Sequence, residues 1–315
     1  MNTRYIIQRL FSTIFVIFGI TLVVFFIIQL VPGDPARVVL GVAASEENVA
    51  ALRERLGLNQ PIVVQYGQWF GALMQGDMGD SLVTGQPVGE QIRQRLPATV
   101  VLAMAGLLVG LLIAVPAGIL SAIRPHSKLD ITASLFSQIG VSIPDFWLGI
   151  LLILLFSLTL GWLPSQGYTP FSQDPVDWFS HLILPALTVG IISGSIQTRF
   201  IRSAMLEVLH QDYVRTARAK GLAERKVIGY HALRNALITI VTIIGLQLTA
   251  LLSAVVVVEV VFSWPGLGRL TLEAVLDRDY PLLQGAVFTI ATLLAFVNLG
   301  TDLLYAFIDP RIEYA

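Results

Sequence analysis

Residues 212–236 read Asp-Tyr-Val-Arg-Thr-Ala-Arg-Ala-Lys-Gly-Leu-Ala-Glu-Arg-Lys-Val-Ile-Gly-Tyr-His-Ala-Leu-Arg-Asn-Ala. This basic, helix-prone island lies between two long apolar segments, so it must face water while its flanks do not. Asp212 is placed to cap a helix, and Arg218 and Lys220 stand where cations complement the negative end of a helix dipole. Gly221 fits the left-handed position that closes a helix, and a second helix can start within Leu222–His231. Ala223, Glu224, Arg225 and Lys226 then form an exposed knuckle. The excess of Lys and Arg in retained loops accounts for the charge as well as a docking role does, so both readings stay open on charge alone.

On the N-terminal flank, Ile201, Ala204, Met205, Val208 and Leu209 keep a helical apolar stripe, which carries the span from His181 to Phe200 outward as an amphipathic extension. On the other flank, Ala236 to Val258 is a further span. The remaining spans lie at Leu10–Val31, Pro97–Ile123, Ile131–Leu160 and Leu283–Ile308. The first of these, at 1.5 Å per residue, is about 33 Å long and crosses a hydrocarbon core of about 30 Å. It is too long for a signal-peptide core. The chain is therefore an all-α integral membrane protein with six transmembrane helices. Of its 315 residues 55% are hydrophobic and 13% charged, against about 25% charged in soluble domains, and the mean hydropathy is +0.75.

With both termini inside, Arg4, Arg9, Arg124, Lys128, Arg199, Arg202, Arg215, Arg218, Lys220, Arg225, Lys226, Arg234 and Arg311 are cytoplasmic. Arg37, Arg53, Arg55, Arg93, Arg95, Arg269 and Arg278 are external. Thirteen against seven, most of the seven in or around one long loop, supports that orientation.

Between Val31-Pro32-Gly33-Asp34-Pro35 and Leu96 the chain is polar but patterned. Ser45 caps a segment with Glu46 and Glu47 in its first turn and Val49, Leu52 and Leu56 on one side, ending at Gly57. Pro61 starts a second, with Ile62, Tyr66, Trp69, Phe70 and Leu73 on a face, ending at Gly76. These helices are expected to fold over the outer mouth, packing on the spans or meeting a binding protein. The organisation reads as residues 1–31, N-terminal tail and first span; 32–96, periplasmic helical region; 97–308, a five-helix core including a cytoplasmic loop at 201–235; and 309–315, a cytoplasmic tail.

Several chemistries are disfavoured. A net charge of −1 gives no basic field for nucleic acid, and zero cysteines remove disulfides and thiolate chemistry. His126, His181, His210 and His231 lie apart, without metal-ligand spacing. No phosphate-cradling Gly-x-x-x-x-Gly-Lys-Ser/Thr loop, Gly-x-Ser-x-Gly elbow or His-Glu-x-x-His helix occurs, so neither ATP hydrolysis, catalysis nor a bound cofactor or metal is expected of this chain. Ionisable groups near the spans are few. Asp145, beside Pro144, reads first as a partner for backbone donors that the proline frees and second as a proton relay. Asn298 and Asp302 are expected to face other helices. Glu259 precedes Phe262-Ser263-Trp264-Pro265-Gly266-Leu267-Gly268, a segment that dips toward the membrane or lies at its interface. Asp145, Glu259, Trp264, Pro265 and Gly266 are the candidate pathway or gate residues.

Tyr213–Leu222, followed by His231-Ala232-Leu233-Arg234-Asn235-Ala236, resembles the EAA loop of permease subunits in binding-protein-dependent ABC importers of the dipeptide/oligopeptide/nickel class. So do Val31–Pro35, Leu56-Gly57-Leu58-Asn59-Gln60-Pro61, Gly76-Asp77-Met78-Gly79, Phe262–Gly268, Arg278-Asp279-Tyr280-Pro281 and Asp309-Pro310-Arg311-Ile312, in order along nearly the whole chain. Departures are Arg215-Thr216-Ala217 for Glu-Ala-Ala, Arg234 where the loop pattern ends in proline, and Thr239 where the class often has one. The resemblance implies a type I ABC importer fold in the bacterial inner membrane and half of a translocation pathway for peptides, glutathione-like molecules or chelated nickel. Its implied partners are a second permease subunit, two cytoplasmic ATPase subunits and a periplasmic substrate-binding protein. Arg215, Thr216, Ala217, Gly221, Leu222, Ala223, Glu224, Arg225 and Lys226 would then dock on an ATPase. The alternative class, a self-contained secondary carrier, is distinguished by the absence of neighbouring genes for ATPases and a secreted binding protein.

Overall fold

A computed structural model describes residues 3–29, 37, 45–55 and 57–308. The Val31–Pro35 stretch, Leu56 and the Asp309–Ala315 tail lie outside the described residues. Among those described, helices long and apolar enough to cross a membrane number 5, or up to 6 if one bent pair is a single span.

The helices are α1 (Thr3–Gln29), α2 (Glu46–Arg55), α3 (Ile62–Met74), α4 (Val88–Ile123), α5 (Lys128–Ser142), α6 (Asp145–Leu152), α7 (Pro175–Leu209), α8 (Asp212–Ala219), the short α9 (Glu224–Lys226), α10 (Arg234–Val261), α11 (Leu267–Leu276) and α12 (Tyr280–Ile308). Wide π-helical stretches follow α6 at Ile153–Thr159 and α9 at Val227–Leu233. The chain resolves into two compact units, one of residues 1–9, 100–264 and 297–315, the other of 10–99 and 265–296.

In the first unit α7 is the hub, and small residues set its neighbours' distance. A Cβ on Gly106 of α4 would fall 2.5 Å from Val189, and one on Gly110 2.5 Å from the Ser193 hydroxyl. On its other side Ser137 of α5 donates to the Ser195 carbonyl at 2.7 Å, and a Cβ on Gly140 would meet the Ser195 Oγ at 2.0 Å. Helices in lipid associate through such close approach rather than through hydrophobic burial. Ile201, Ala204, Met205 and Leu209 of the amphipathic extension are buried against Ala114, Ala122, Ala232, Ala236 and Ile240, so the predicted stripe forms the packed face. Asn298 and Asp302 do face other helices. Thr249 of α10 donates to Asn298 at 2.6 Å, and Arg9 of α1 lies 3.3 Å from Asp302.

Three expected boundaries are corrected. The helix that carries the second span starts at Val88 rather than Pro97, because Val88–Leu96 continues it as a more polar first stretch. The third is not one helix from Ile131 to Leu160 but two, bent by 107° between Ser142 and Asp145. Pro144 has no N–H to give and pushes Ile143 into extended geometry, φ −90° and ψ 126°. Asp212 is not the N-cap of its helix. Gln211 takes that position without a side-chain bond, and Asp212 is the first helical residue.

In the second unit, α3 lies on α1 through aromatic rings. Tyr66 meets Phe25 at 5.4 Å between centroids and Phe70 meets Phe18 at 5.8 Å, while the Tyr66 and Thr21 hydroxyls share a hydrogen bond of 2.9 Å. Ile62, expected on the same face, is the first residue of the helix and is exposed. Ser45 caps α2 through Asn48 N–H at 3.3 Å. A second cluster joins Val88 and Ile92 of α4 to Leu267, Leu270 and Ala274 of α11 and Leu282 of α12. There the buried Asp279 carboxylate accepts from the Ser81 hydroxyl and from the Leu82 and Leu282 N–H groups, the last two at 3.2 Å.

Candidate functional site

The loop between α7 and α10 is a closed miniature fold. Helix α8 ends at Lys220, and Gly221 has φ +75°. The Gly221 N–H bonds the Arg218 carbonyl at 2.9 Å and the Leu222 N–H reaches back to the Ala217 carbonyl at 3.4 Å. This pair of bonds, with Leu222 packed on the buried trio Val214, Ala217 and Val227, is the Schellman motif. Sequence chemistry dictates it, since a left-handed C′ position disfavours every residue with a Cβ.

The Arg218 guanidinium grips Glu224 across the turn, with nitrogen–oxygen distances of 2.8 and 3.2 Å. The hydrogen bond from Arg218 holds the Glu224 carboxyl below the usual carboxylate range, and Glu224 raises the guanidinium's pKa in turn. Both groups are exposed, so the pair orients the turn more than it stabilises it. Arg215, Thr216, Gly221, Ala223, Glu224, Arg225 and Lys226 are exposed, Leu222 is half-buried, and Ala217 is buried. The structure thus brings the loop residues together on one small body. Ala217 supports it from within rather than presenting a surface.

The candidate pathway residues separate. Asp145 is the first residue of α6, half-buried, at the 107° bend. Glu259 is fully buried near the end of α10, and its carbonyl accepts from the Trp264 N–H at 2.9 Å. Trp264 is also fully buried, edge-on to Tyr168 at 4.9 Å, and Gly167 N–H bonds the Phe262 carbonyl at 3.2 Å. Pro265 and Gly266 belong to the other unit, where Gly266 is the N-cap of α11 and the Leu267 N–H bonds the Thr99 hydroxyl at 2.8 Å. Among the described residues no group of three or more His, Asp or Glu could hold a metal ion.

Sequence reasoning missed the Asp130–Arg202 pair. Arg202, on the extension of α7 just before the loop, makes a two-pronged contact with Asp130 of α5 at 2.6 and 2.9 Å. The His126 N–H donates to the same carboxylate at 2.9 Å, and Ser127 caps α5 through the Asp130 N–H at 3.3 Å. Ser127-Lys128-Leu129-Asp130 reads as a cap followed by an acid in the first turn, which signals the start of the helix and not the distant partner.

Residues 114–314 match the family model described as "binding-protein-dependent transport system inner membrane component", and residues 2–103 match its N-terminal companion. The chain is 43% identical over 313 residues to an oligopeptide transport system permease protein of Bacillus subtilis, covering 98% of this chain and 99% of the relative. It is 40% identical over 331 residues to a di/tripeptide transport system permease protein of Pseudomonas aeruginosa, with 98% of each covered. Among solved structures it is similar to an inward-facing MetNI methionine ABC transporter, TM-score 0.58 at 18% identity, over 70% of this chain and 96% of that one.

Proposed function

The chain belongs to the family of binding-protein-dependent transport system inner membrane components, and from that premise we propose that it forms half of the path by which a type I ABC importer takes up peptides. It is a multi-pass inner-membrane permease subunit with the type I fold, and not itself an enzyme. The observation that carries the finer reading is the loop of α8 and α9. It is exposed and basic, yet closed by a Schellman turn and a buried trio into one fixed shape, which suits seating in a groove of another protein.

In this reading one of two ATPase subunits holds the loop through Arg215, Thr216, Gly221, Leu222, Ala223, Glu224, Arg225 and Lys226, with Ala217 beneath them. A second permease completes the path and a periplasmic protein delivers peptide. ATP-driven closure of the ATPases shifts the docked loops and rocks the spans, which alternates access. Both termini are cytoplasmic. Residues 1–31 are the tail and first span, 32–96 are periplasmic, 97–308 form the five-helix core with its loop at 201–235, and 309–315 return to the cytoplasm. Asp145, Glu259, Trp264, Pro265 and Gly266 remain the proposed pathway or gate residues, Asp145 standing at the broken span.

The test is co-expression with the ATPases, second permease and binding protein encoded beside it, followed by uptake assays with dipeptides, oligopeptides, glutathione and chelated nickel. Peptide uptake that needs all partners is expected. Uptake by this chain alone in proteoliposomes would refute the importer role, and uptake restricted to nickel or glutathione would replace the substrate. Reporter fusions at Gly221 and Arg311 should score cytoplasmic and those at Gly57 and Ser172 periplasmic.

A further inference from the structure

Helix α5 has two unlike flanks at the same depth. Its third face is occupied by α7, through Ser137, Gly140 and Ser195. One flank borders an open groove of about 320 Å³ whose lining includes Ile113, Leu120, Leu129 and Phe136, a surface suited to acyl chains. The other borders an open groove of about 430 Å³ lined by His126, Asp130, Ile131, Ser134, Leu135 and Gln138. On this side Asp130, Ser134, Gln138 and Ser142 recur every fourth residue, the spacing of one helix stripe.

With the start of α5 at the membrane surface and its axis along the membrane normal, the stripe reaches the middle of the bilayer. Gln138 lies about 15 Å along the axis from the start of α5, half of a hydrocarbon core of about 30 Å. The Ser142 hydroxyl is satisfied by the Gln138 carbonyl at 3.0 Å, and Asp130 is neutralised by Arg202. Within this chain, among the described residues, the exposed side chains of Ser134 and Gln138 have no hydrogen bond. An unsatisfied carboxamide at that depth is not left facing lipid, because hydrocarbon offers it no donor or acceptor.

We propose that the Ser134–Gln138 stripe of α5 lines the water-filled translocation path and hydrogen-bonds the backbone amides of passing peptides. This deepens the peptide-importer reading and rests on it. A carboxamide and a hydroxyl both donate and accept, as a peptide unit does, and neither selects by charge. Ser134 and Gln138 stand about 6 Å apart along the axis, close to the two-residue repeat of about 6.6 Å in extended backbone. Ile131 and Leu135 in the same groove offer apolar contact to side chains of varied identity.

The chain has no cysteine, so single-cysteine variants report without background from it. Ser134→Cys, Gln138→Cys and Ile139→Cys are made in the full-length chain, in membranes holding the whole importer. They are exposed to the charged reagent methanethiosulfonate ethyltrimethylammonium, with and without dialanine and the binding protein. Ile139 is exposed at the depth of Gln138 but about 100° around the helix. Labelling of Ser134→Cys and Gln138→Cys is expected at least tenfold faster than that of Ile139→Cys, and slower when dialanine is being transported. Equal rates at the three positions, or resistance at Gln138→Cys together with disulfide capture of a neighbouring subunit, would overturn the proposal. Fast labelling unaffected by dialanine that is nevertheless taken up would overturn the backbone contact. Fast labelling without any peptide uptake, slowed instead by chelated nickel, would sink the peptide reading of function while leaving the aqueous face.

Discussion

Replacing Gly221 by valine tests the loop at its most constrained atom. Gly221 has φ +75°, and a Cβ built there meets nothing within 4 Å, so the substitution creates strain without a clash. Holding an L-residue in that conformation costs about 1–2 kcal/mol. The other option, reopening the turn, gives up the bonds to Arg218 and Ala217, each worth about 0.5–1.5 kcal/mol, and the Leu222 contact with them. Either way the closed turn loses about five- to thirtyfold in population. The assay is substrate-stimulated ATP hydrolysis and peptide uptake by the reconstituted importer, alongside membrane abundance and ATPase co-purification. Gly221→Val should accumulate normally, since the turn lies outside the packed spans, yet lose coupling and uptake together. Gly221→Asn, whose side chain tolerates left-handed backbone, should fall between Val and wild type. A Val variant with wild-type ATPase binding and coupling would refute the idea that a fixed turn shape is what docks.

Three further outcomes follow from the same geometry. Because Arg218 depresses the Glu224 carboxyl, the pair's contribution is complete above the ordinary carboxylate pKa of about 4.3 and is lost only as pH falls through the lowered value. Hydrogen exchange in the turn should therefore be insensitive to this group from pH 6 to 8, whereas Glu224→Gln should speed it throughout that range. Asp130→Ala leaves Arg202, 29% exposed, without its partner and should cost about 3 kcal/mol, read as earlier heat-induced aggregation in detergent; removing both groups should cost less. Gly140→Ala drives a Cβ to 2.0 Å from Ser195 Oγ and 2.4 Å from its Cβ, so it should lower membrane abundance, with partial rescue by Ser195→Gly and little by Ser195→Ala.

The spans were legible because hydropathy over a bilayer's width is a sum of many residues that no tertiary contact can reverse. Gly221 was legible for a different reason, since a left-handed turn has nearly one chemical solution. What escaped were features set by two distant segments at once. Pro144 announced a break, but a bend of 107° depends on α6 finding Val261 and Phe262 against Gly149. Nothing local in Asp130 or Arg202 signals a partner 72 residues away. Likewise Val88–Leu96, too polar to count as span, becomes helix because Val88 and Ile92 have Leu267 and Leu282 to pack on. In the loop, Ala217 carries no charge and looked like a contact, yet its place in the buried trio follows from the fold of the turn.

Helix α7 has 35 residues, about 52 Å of rod, and it lies so near α4 that a Cβ on Gly190 or Gly194 would come within 3.1 or 3.0 Å of the Gly106 or Gly110 carbonyl. That approach begins near the midpoint of α7 and continues toward the loop, where a Cβ on Gly118 of α4 would meet Ile201 at 2.7 Å. Mechanically α7 has two unlike arms, the loop-side one held along α4 and α10 through Ile201, Ala204, Met205 and Leu209. The arms differ in stiffness. The one reaching the loop has an uninterrupted ladder of backbone bonds, whereas the other contains Pro185, which cannot donate to the carbonyl four residues back. A displacement of the loop-side arm would thus carry its α4 and α10 neighbours with it, whereas the proline-bearing arm would settle its own contacts instead of copying the stroke.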